Sequence, residues 1–148
     1  MLVWLRYYCV KAARRNVRRF TGNKYKNSKY HLDGITFMSK AEAAYYMVYL
    51  KPLVEADKIQ NLEFQPRRRC EIGGQKVCDY IADFRYFDRA EEGQHGQQGC
   101  QVIVEVKGYE TDVYKLKMKL VLALYPAIKI IVVPAKSLKK EIAMLPKR

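Results

Sequence analysis

Three residues in two segments carry most of the chemistry open to this sequence: Asp83, Glu105 and Lys107. In the segment 101–108, Val102, Val104 and Val106 alternate with Ile103, Glu105 and Lys107. A period of two marks a strand, and β-branched side chains suit a pleated surface. Glu105 and Lys107 then point to one face, beside Ile103. Charges near the end of an apolar strand are costly unless they are paired or bound to a cation. For a lone Glu-x-Lys, an ordinary ion pair on a solvated sheet face is sufficient explanation. The segment 80–87 also reads as a strand, with Asp83 in its middle on the face of Ile81 and Arg85. Aspartate is depleted in strands, so a mid-strand Asp calls for a functional reason. A glycine-bearing loop, Asp88 to Gly99, would join the two strands as a hairpin and bring Asp83, Glu105 and Lys107 onto one face. Two carboxylates there form a site for a hard divalent cation, and a lysine can orient water or offset phosphate charge.

The elements that must position these groups follow from the flanking sequence. The segment His31–Phe37 reads as a turn at Asp33-Gly34 leading into a short strand. Ser39-Lys-Ala-Glu42 fits a capping box, with Ser at the N-cap and Glu at the third helical position; that is a structural use of Glu42. The helix continues through Ala43, Ala44, Met47, Val48 and Leu50, and Pro52 kinks or ends it, with a second helical piece through Val54. The segment 59–64 reads as a link into a strand, and Gln65 is either a plain polar strand end or a hydrogen-bonding group for a site water or phosphate. Arg67, Arg68 and Arg69 alternate faces on a strand, so they form no single patch, and at least one faces solvent or DNA. The segment 71–77 is a hairpin turn at Gly73-Gly74. Asp79 shares parity with Asp83, but four residues of strand separate them by roughly 13 Å, which makes it the weaker candidate.

After Gly108, Asp112 can cap a helix over 113–124, with Leu116, Leu120 and Ala123 or Leu124 as its apolar stripe. Lys115 and Lys119 share a face beside that stripe, either solvated or turned to phosphate, and Lys117 lies elsewhere. Pro126 stops the helix, and the apolar run 128–133 reads as a buried strand. Strand, helix and strand make a βαβ unit, which should be parallel and right-handed. Residues 137–145 read as a short basic helix.

With 148 residues the chain fits one domain, and 49% apolar with 29% charged residues makes it globular. Its net charge of +13 is concentrated: the first thirty residues carry nine Lys or Arg and no acid. Lys11, Arg14, Arg15 and Arg18 fall on one helical face with Arg19 adjacent, and Lys24 and Lys26 follow among tyrosines. A basic arm or helix over 1–23 on a nearly balanced domain points to nucleic acid; a flexible solubilising tail is the alternative. No apolar run is long enough to span a bilayer and no signal peptide is visible, which gives the expectation of a cytoplasmic protein without a membrane partner. The four cysteines contain no Cys-x-x-Cys, which argues against structural zinc; Cys70 and Cys78 can face each other across the hairpin as thiols.

The ordered motifs Asp-Gly-Ile-Thr-Phe, Ser-Lys-x-Glu, Leu-Glu-x-Gln-Pro, Tyr-Ile-Ala-Asp-Phe, Val-Glu-Val-Lys-Gly and Val-Tyr-Lys-Leu-Lys resemble a phage-borne family of small PD-(D/E)XK proteins long labelled a domain of unknown function. In site layout the chain is similar to endonuclease I-type Holliday junction resolvases. The resemblance covers roughly residues 24–133; Ala82 stands where the superfamily's motif has Pro, and the arm lies outside it. It implies an α/β, restriction-endonuclease-like mixed central sheet flanked by helices, with residues 24–148 as the nuclease domain. It further implies Glu42 as a helix-borne acid, Asp83 and Glu105 as metal-binding acids, and Lys107 as the catalytic lysine. Asp83, Glu105 and the Val106 carbonyl would hold Mg2+, for which Mn2+ can substitute, and Glu42 would complete a second metal position.

The implied activity is a Mg2+-dependent DNA endonuclease, structure-selective for four-way or branched DNA and acting as a homodimer in host cytoplasm. Arm residues, Gln65, Arg67, Lys115 and Lys119 would grip the phosphates. Two alternatives stay open: a nuclease on ordinary duplex or single-stranded DNA, and a non-catalytic basic nucleic-acid-binding protein.

Overall fold

Residues 28–92 and 98–146 are described by a computed structural model of the chain. The basic arm, including Lys11, Arg14, Arg15, Arg18, Arg19, Lys24 and Lys26, lies outside the described residues. Strands β1 (Tyr30–Leu32) and β2 (Ile35–Phe37) form a hairpin, so the segment before the Asp33-Gly34 turn is a strand as well. Asp33 and Gly34 both take positive φ, 52° and 76°, as a two-residue hairpin turn requires. A continuous helical stretch follows: α1 (Lys40–Tyr45), a π-helical turn (Tyr46–Leu50) and α2 (Lys51–Glu55). Pro52 falls in the first turn of α2, where its missing N–H costs little, so the chain stays helical past it.

The rest of the chain alternates strands with two helices. Strands β3 (Ile59–Phe64), β4 (Arg67–Ile72), β5 (Gln75–Ile81), β6 (Phe84–Glu92) and β7 (Gln98–Lys107) precede α3 (Asp112–Leu124). Strand β8 (Lys129–Pro134), a 3-10 turn (Ala135–Leu138) and α4 (Lys139–Ala143) complete it. Among the described residues the largest sheet runs β3-β6-β7-β8, antiparallel except for the β7–β8 pair. The architecture is α/β, a mixed sheet flanked by helices, and is consistent with a restriction-endonuclease-like fold. The parallel β7–α3–β8 unit is the one the sequence indicates.

The alternation in β7 divides the core. Val102, Val104 and Val106 pack with Ala43, Ala44, Leu50 and Phe84 on one side. Ile103 packs on the other with Val121, Tyr80, Ala82 and Cys70. A strand buried on both faces must be apolar at both parities except where a polar group has a partner, and Glu105 is the exception here.

Several expectations need correction. The segment 80–87 is not one strand: β5 ends at Ile81 and β6 begins at Phe84, leaving Asp83 in the break. The segment 59–64 is itself a strand, the edge partner of β6. Most of the span 88–99 is not loop, because β6 and β7 stay paired out to Glu92↔Gln98. Gly99 allows this with a φ of +88° and a backbone packed under the Phe87 ring. Helix α3 starts at Asp112, and its cap is Thr111, whose hydroxyl accepts the Tyr114 N–H. Its buried side is Val121 with Met118, Leu120 and Leu124, whereas Leu116 is 70% exposed. The expected 137–145 helix is split into the 3-10 turn and α4. The Gly73-Gly74 turn and the Cys70↔Cys78 register, with both residues as thiols, agree with the sequence reading. So does the alternation of the arginines: Arg67 and Arg69 face outward, while Arg68 lies over the Tyr125 ring.

Candidate active site

Asp83 stands where two ladders part. Strands β3 and β6 belong to the four-stranded sheet, whereas, among the described residues, β4 and β5 pair only with each other. Two backbone hydrogen bonds fasten the crossing: the Gln65 N–H donates to the Asp83 carbonyl (2.9 Å) and the Ala82 N–H to the Pro66 carbonyl (3.2 Å). Gln65 takes a φ of +49° to make that turn. The β6–β7 register pairs Phe84 with Val104, so Asp83 falls level with Glu105, one step past the last pair. With β6 no longer extended there, the Asp83 carboxylate takes the place of a ladder carbonyl and accepts the Val106 N–H at 2.6 Å. The same break that removes Asp83 from a strand therefore ties its side chain to the central one.

Glu105 is only 3% exposed. Its Oε2 accepts the Tyr80 hydroxyl at 3.0 Å, and its Oε1 is paired with the Lys107 ammonium. Burial, then the Glu105 charge, holds the Tyr80 phenol far above its ordinary range, so Tyr80 is a firm donor. The Lys107 ammonium lies 4.4 Å from the centroid of the Tyr114 ring, a cation–π contact.

Glu42 is buried on α1 at 7% exposure and closes the expected capping box in a variant form. Its N–H donates to the Ser39 hydroxyl oxygen (3.2 Å), and the Ser39 hydroxyl donates back to Oε1 (2.7 Å). Its Oε2 accepts the N–H of Met38 (3.0 Å), one residue ahead of the N-cap. Burial raises the Glu42 carboxyl, the Ser39 and Met38 hydrogen bonds pull it down, and Glu105 adds to the rise. Asp83 is pushed up to about 7, first by burial and then by the charges of Glu105 and Glu42. Three carboxylates thus share one electrostatic neighbourhood with Lys107.

Two openings meet at Lys107. A cleft of about 650 Å³ is lined by Ser39, Lys40, Glu42, Asp83, Lys107 and Gly108. A pocket of about 250 Å³ on the α3 side is lined by Tyr80, Glu105, Lys107, Tyr114 and Lys117. The expectation of one shared face therefore needs correction. Asp83 and Glu105 flank the same level of β7 but open to different sides, and Lys107 borders both.

The residues fit a hard cation in the chemistry of their donors. Asp83 and Glu105 supply carboxylate oxygens, and the Asp83 carboxyl is raised first by burial and then by the charges of Glu105 and Glu42, which a cation would offset. As the side chains stand, however, no three of His, Cys, Asp and Glu among the described residues form a ready-made cage. Both oxygens of Glu105 and both of Glu42 already have partners.

The remaining candidates scatter. Gln65 is exposed and touches the site through its backbone bond to Asp83. Arg67 is exposed and 3.6 Å from Asp79, which also pairs with Lys76, so Asp79 is a partner of surface cations. Lys115 and Lys119 are exposed on α3, with Lys115 3.9 Å from Asp112. Sequence reasoning missed Tyr80, Tyr114, Lys117 and Lys40. Tyr80, on β5, and Ala82, just past its end, point inward at alternate positions, a pattern visible in the sequence; Lys117 does not share the face of Lys115 and Lys119. Its ammonium donates to the Asp79 carbonyl at 2.9 Å, on the site side of the helix.

The described residues form a mixed α/β domain with buried acids and a lysine near the end of its central strand. Residues 22–141 match a family described as a protein of unknown function, DUF1064, and the chain belongs to that family. No curated protein and no solved structure is found to match the chain. Among the described residues no helix is long and apolar enough to cross a membrane.

Proposed function

We propose that the protein is a metal-dependent DNA endonuclease that hydrolyses phosphodiesters. The observation that carries this reading is the juncture of Asp83, Glu105 and Lys107. One carboxylate is bonded to the β7 backbone, the other is held by a tyrosine, and the lysine borders both openings. Mg2+ or Mn2+ held by Asp83, Glu105 and the Val106 carbonyl, with Glu42 on the cleft wall, would supply a Lewis acid and an activated water.

The chain's own groups do the rest. Val106 N–H fixes the direction of the Asp83 carboxylate, and Tyr80 fixes that of Glu105. The Lys107 side chain is 28% exposed, so its ammonium can reach a phosphate oxygen or hold a water while Glu105 anchors it. Lys40, at the start of α1, adds a second cation to the cleft that holds Asp83. The basic first thirty residues supply sequence-independent attraction to a phosphate backbone. Preference for four-way or branched DNA, and the homodimer that symmetric cutting of a junction needs, rest on the likeness of site layout to junction resolvases.

One observation favours a second reading, a non-catalytic nucleic-acid-binding protein: Glu105 is already satisfied by Tyr80 and Lys107. Labelled four-way junction and matching duplex, each incubated with Mg2+ and with chelator, separate the readings. Mg2+-dependent nicks support the enzyme, and nicks confined to the junction support structure selectivity. Tight binding without cutting in Mg2+ supports the second reading.

A further inference from the structure

The Tyr114 hydroxyl is buried and has no hydrogen-bond partner among the described residues. A hidden phenol without a partner is uncommon, because a buried donor left unmade costs stability. Its surroundings are specific. The ring is already occupied on its face by the Lys107 ammonium. The residue lines the 250 Å³ pocket together with Lys107 and Lys117. Burial, then the charge of Glu105, holds the phenol up at about 12, so at neutral pH it keeps its proton and can only be a donor to an anion.

The cations of this pocket are unequally spent. Lys107 is paired with Glu105. Asp79 is engaged by Lys76 and Arg67. Lys117 donates to a backbone carbonyl, which leaves its charge uncancelled by that contact. The pocket thus holds a phenol donor and, among the described residues, a lysine outside any ion pair, at the margin of the acids, and its volume accommodates a phosphate group.

We propose that this pocket is a phosphate subsite, with the Tyr114 hydroxyl donating to a non-bridging oxygen of a backbone phosphate in bound nucleic acid and Lys117 offsetting its charge. The subsite rests on the reading of the protein as a nuclease, since it borders the Glu105 and Lys107 of that site. It makes Tyr114 a substrate-binding residue that leaves the proton inventory of hydrolysis unchanged.

The test is Tyr114→Phe. The substitution keeps the ring under Lys107 and removes only the partnerless hydroxyl, so the thermal midpoint of the free protein should hold or rise. Binding of a short labelled duplex in chelator should weaken about 10- to 100-fold, the range for a hydrogen bond to a charged group. Inorganic phosphate should compete with the duplex for the wild type more effectively than for the variant; equal competition overturns the subsite. Equal duplex affinity for wild type and variant also overturns it. A lowered thermal midpoint overturns it as well, by assigning the hydroxyl a structural partner. Cleavage in Mg2+ is measured in parallel. Wild-type cleavage with unchanged Tyr114→Phe binding defeats the subsite and leaves the nuclease reading standing. Weakened Tyr114→Phe binding without wild-type cleavage keeps the subsite and defeats the nuclease. Absence of both duplex binding and cleavage in the wild type defeats both.

Discussion

The Asp83 carboxylate accepts the backbone N–H of Val106 at 2.6 Å, so an acid from the break between two strands is bonded directly to the strand that carries Glu105 and Lys107. That bond fixes the carboxylate without neutralising it. Burial and the two neighbouring acids then hold Asp83 at about 7, against an ordinary value of 3.8.

A pH dependence follows. Between about pH 4 and pH 7 the folded protein holds a proton on Asp83 that the unfolded chain has released. Stability therefore falls as pH rises through that window and levels off above the folded value. Urea midpoints taken across pH 4 to 8 in chelator should show this decline. Asp83→Asn should flatten most of it, with a smaller slope left by Glu42, whose shift has the same sign. An unchanged slope in the variant would show that Asp83 titrates normally. Cation uptake should also weaken below about pH 7, because protons compete for the same carboxylate.

Tyr80→Phe leaves the ring volume in place but strips Glu105 Oε2 of its donor. Leaving that buried oxygen unmet should cost about 1–3 kcal/mol in a denaturation series. If Tyr80 positions Glu105 for the reaction, turnover should fall more than substrate binding does. A variant with wild-type stability would mean that the Tyr80–Glu105 bond carries no weight.

Ser39→Ala removes both halves of the cap exchange with Glu42. The expected loss is about 0.5–2 kcal/mol, read from the shift of the urea midpoint at pH 7. No shift would mean that the Met38 N–H bond to Glu42 alone holds the start of α1.

Gly99→Ala tests the long β6–β7 pairing. A Cβ there would run into the Phe87 ring, and the backbone φ of +88° strains any side chain. A destabilisation of about 1–3 kcal/mol is expected, and an unaffected melting temperature would mean that the ring moves aside freely.

Much of this organisation was legible in the sequence because it is local. The valine alternation gave β7, the Ser39–Glu42 spacing gave the cap, and the paired glycines gave the β4–β5 turn. The sequence brings Asp83 and Glu105 together, but onto one face, whereas they open to different sides of β7. What escaped was set by tertiary contacts. The break at Ala82–Asp83 depends on the Gln65–Pro66 crossing from a distant segment, and no local pattern in 80–87 announces it. On α3 the expected stripe holds at Leu120 and Leu124 but fails at Leu116, because the face that wins is the one holding Val121 against Ile103. Glu105 follows strand parity onto the Ile103 face, where the Tyr80 hydroxyl meets it, whereas Asp83, outside any strand, lines the other cleft, which no parity rule reveals.

The most direct measurement is Mg2+-dependent cleavage of labelled DNA by the wild type beside Asp83→Asn, Glu105→Ala and Lys107→Ala, each first confirmed as folded. The account expects wild-type cleavage that chelator abolishes and a fall of at least about 100-fold in each variant, the scale of losing one preorganised catalytic group. Cleavage retained in folded Glu105→Ala, or no wild-type cleavage of junction, duplex or single strand with Mg2+ or Mn2+, would contradict it.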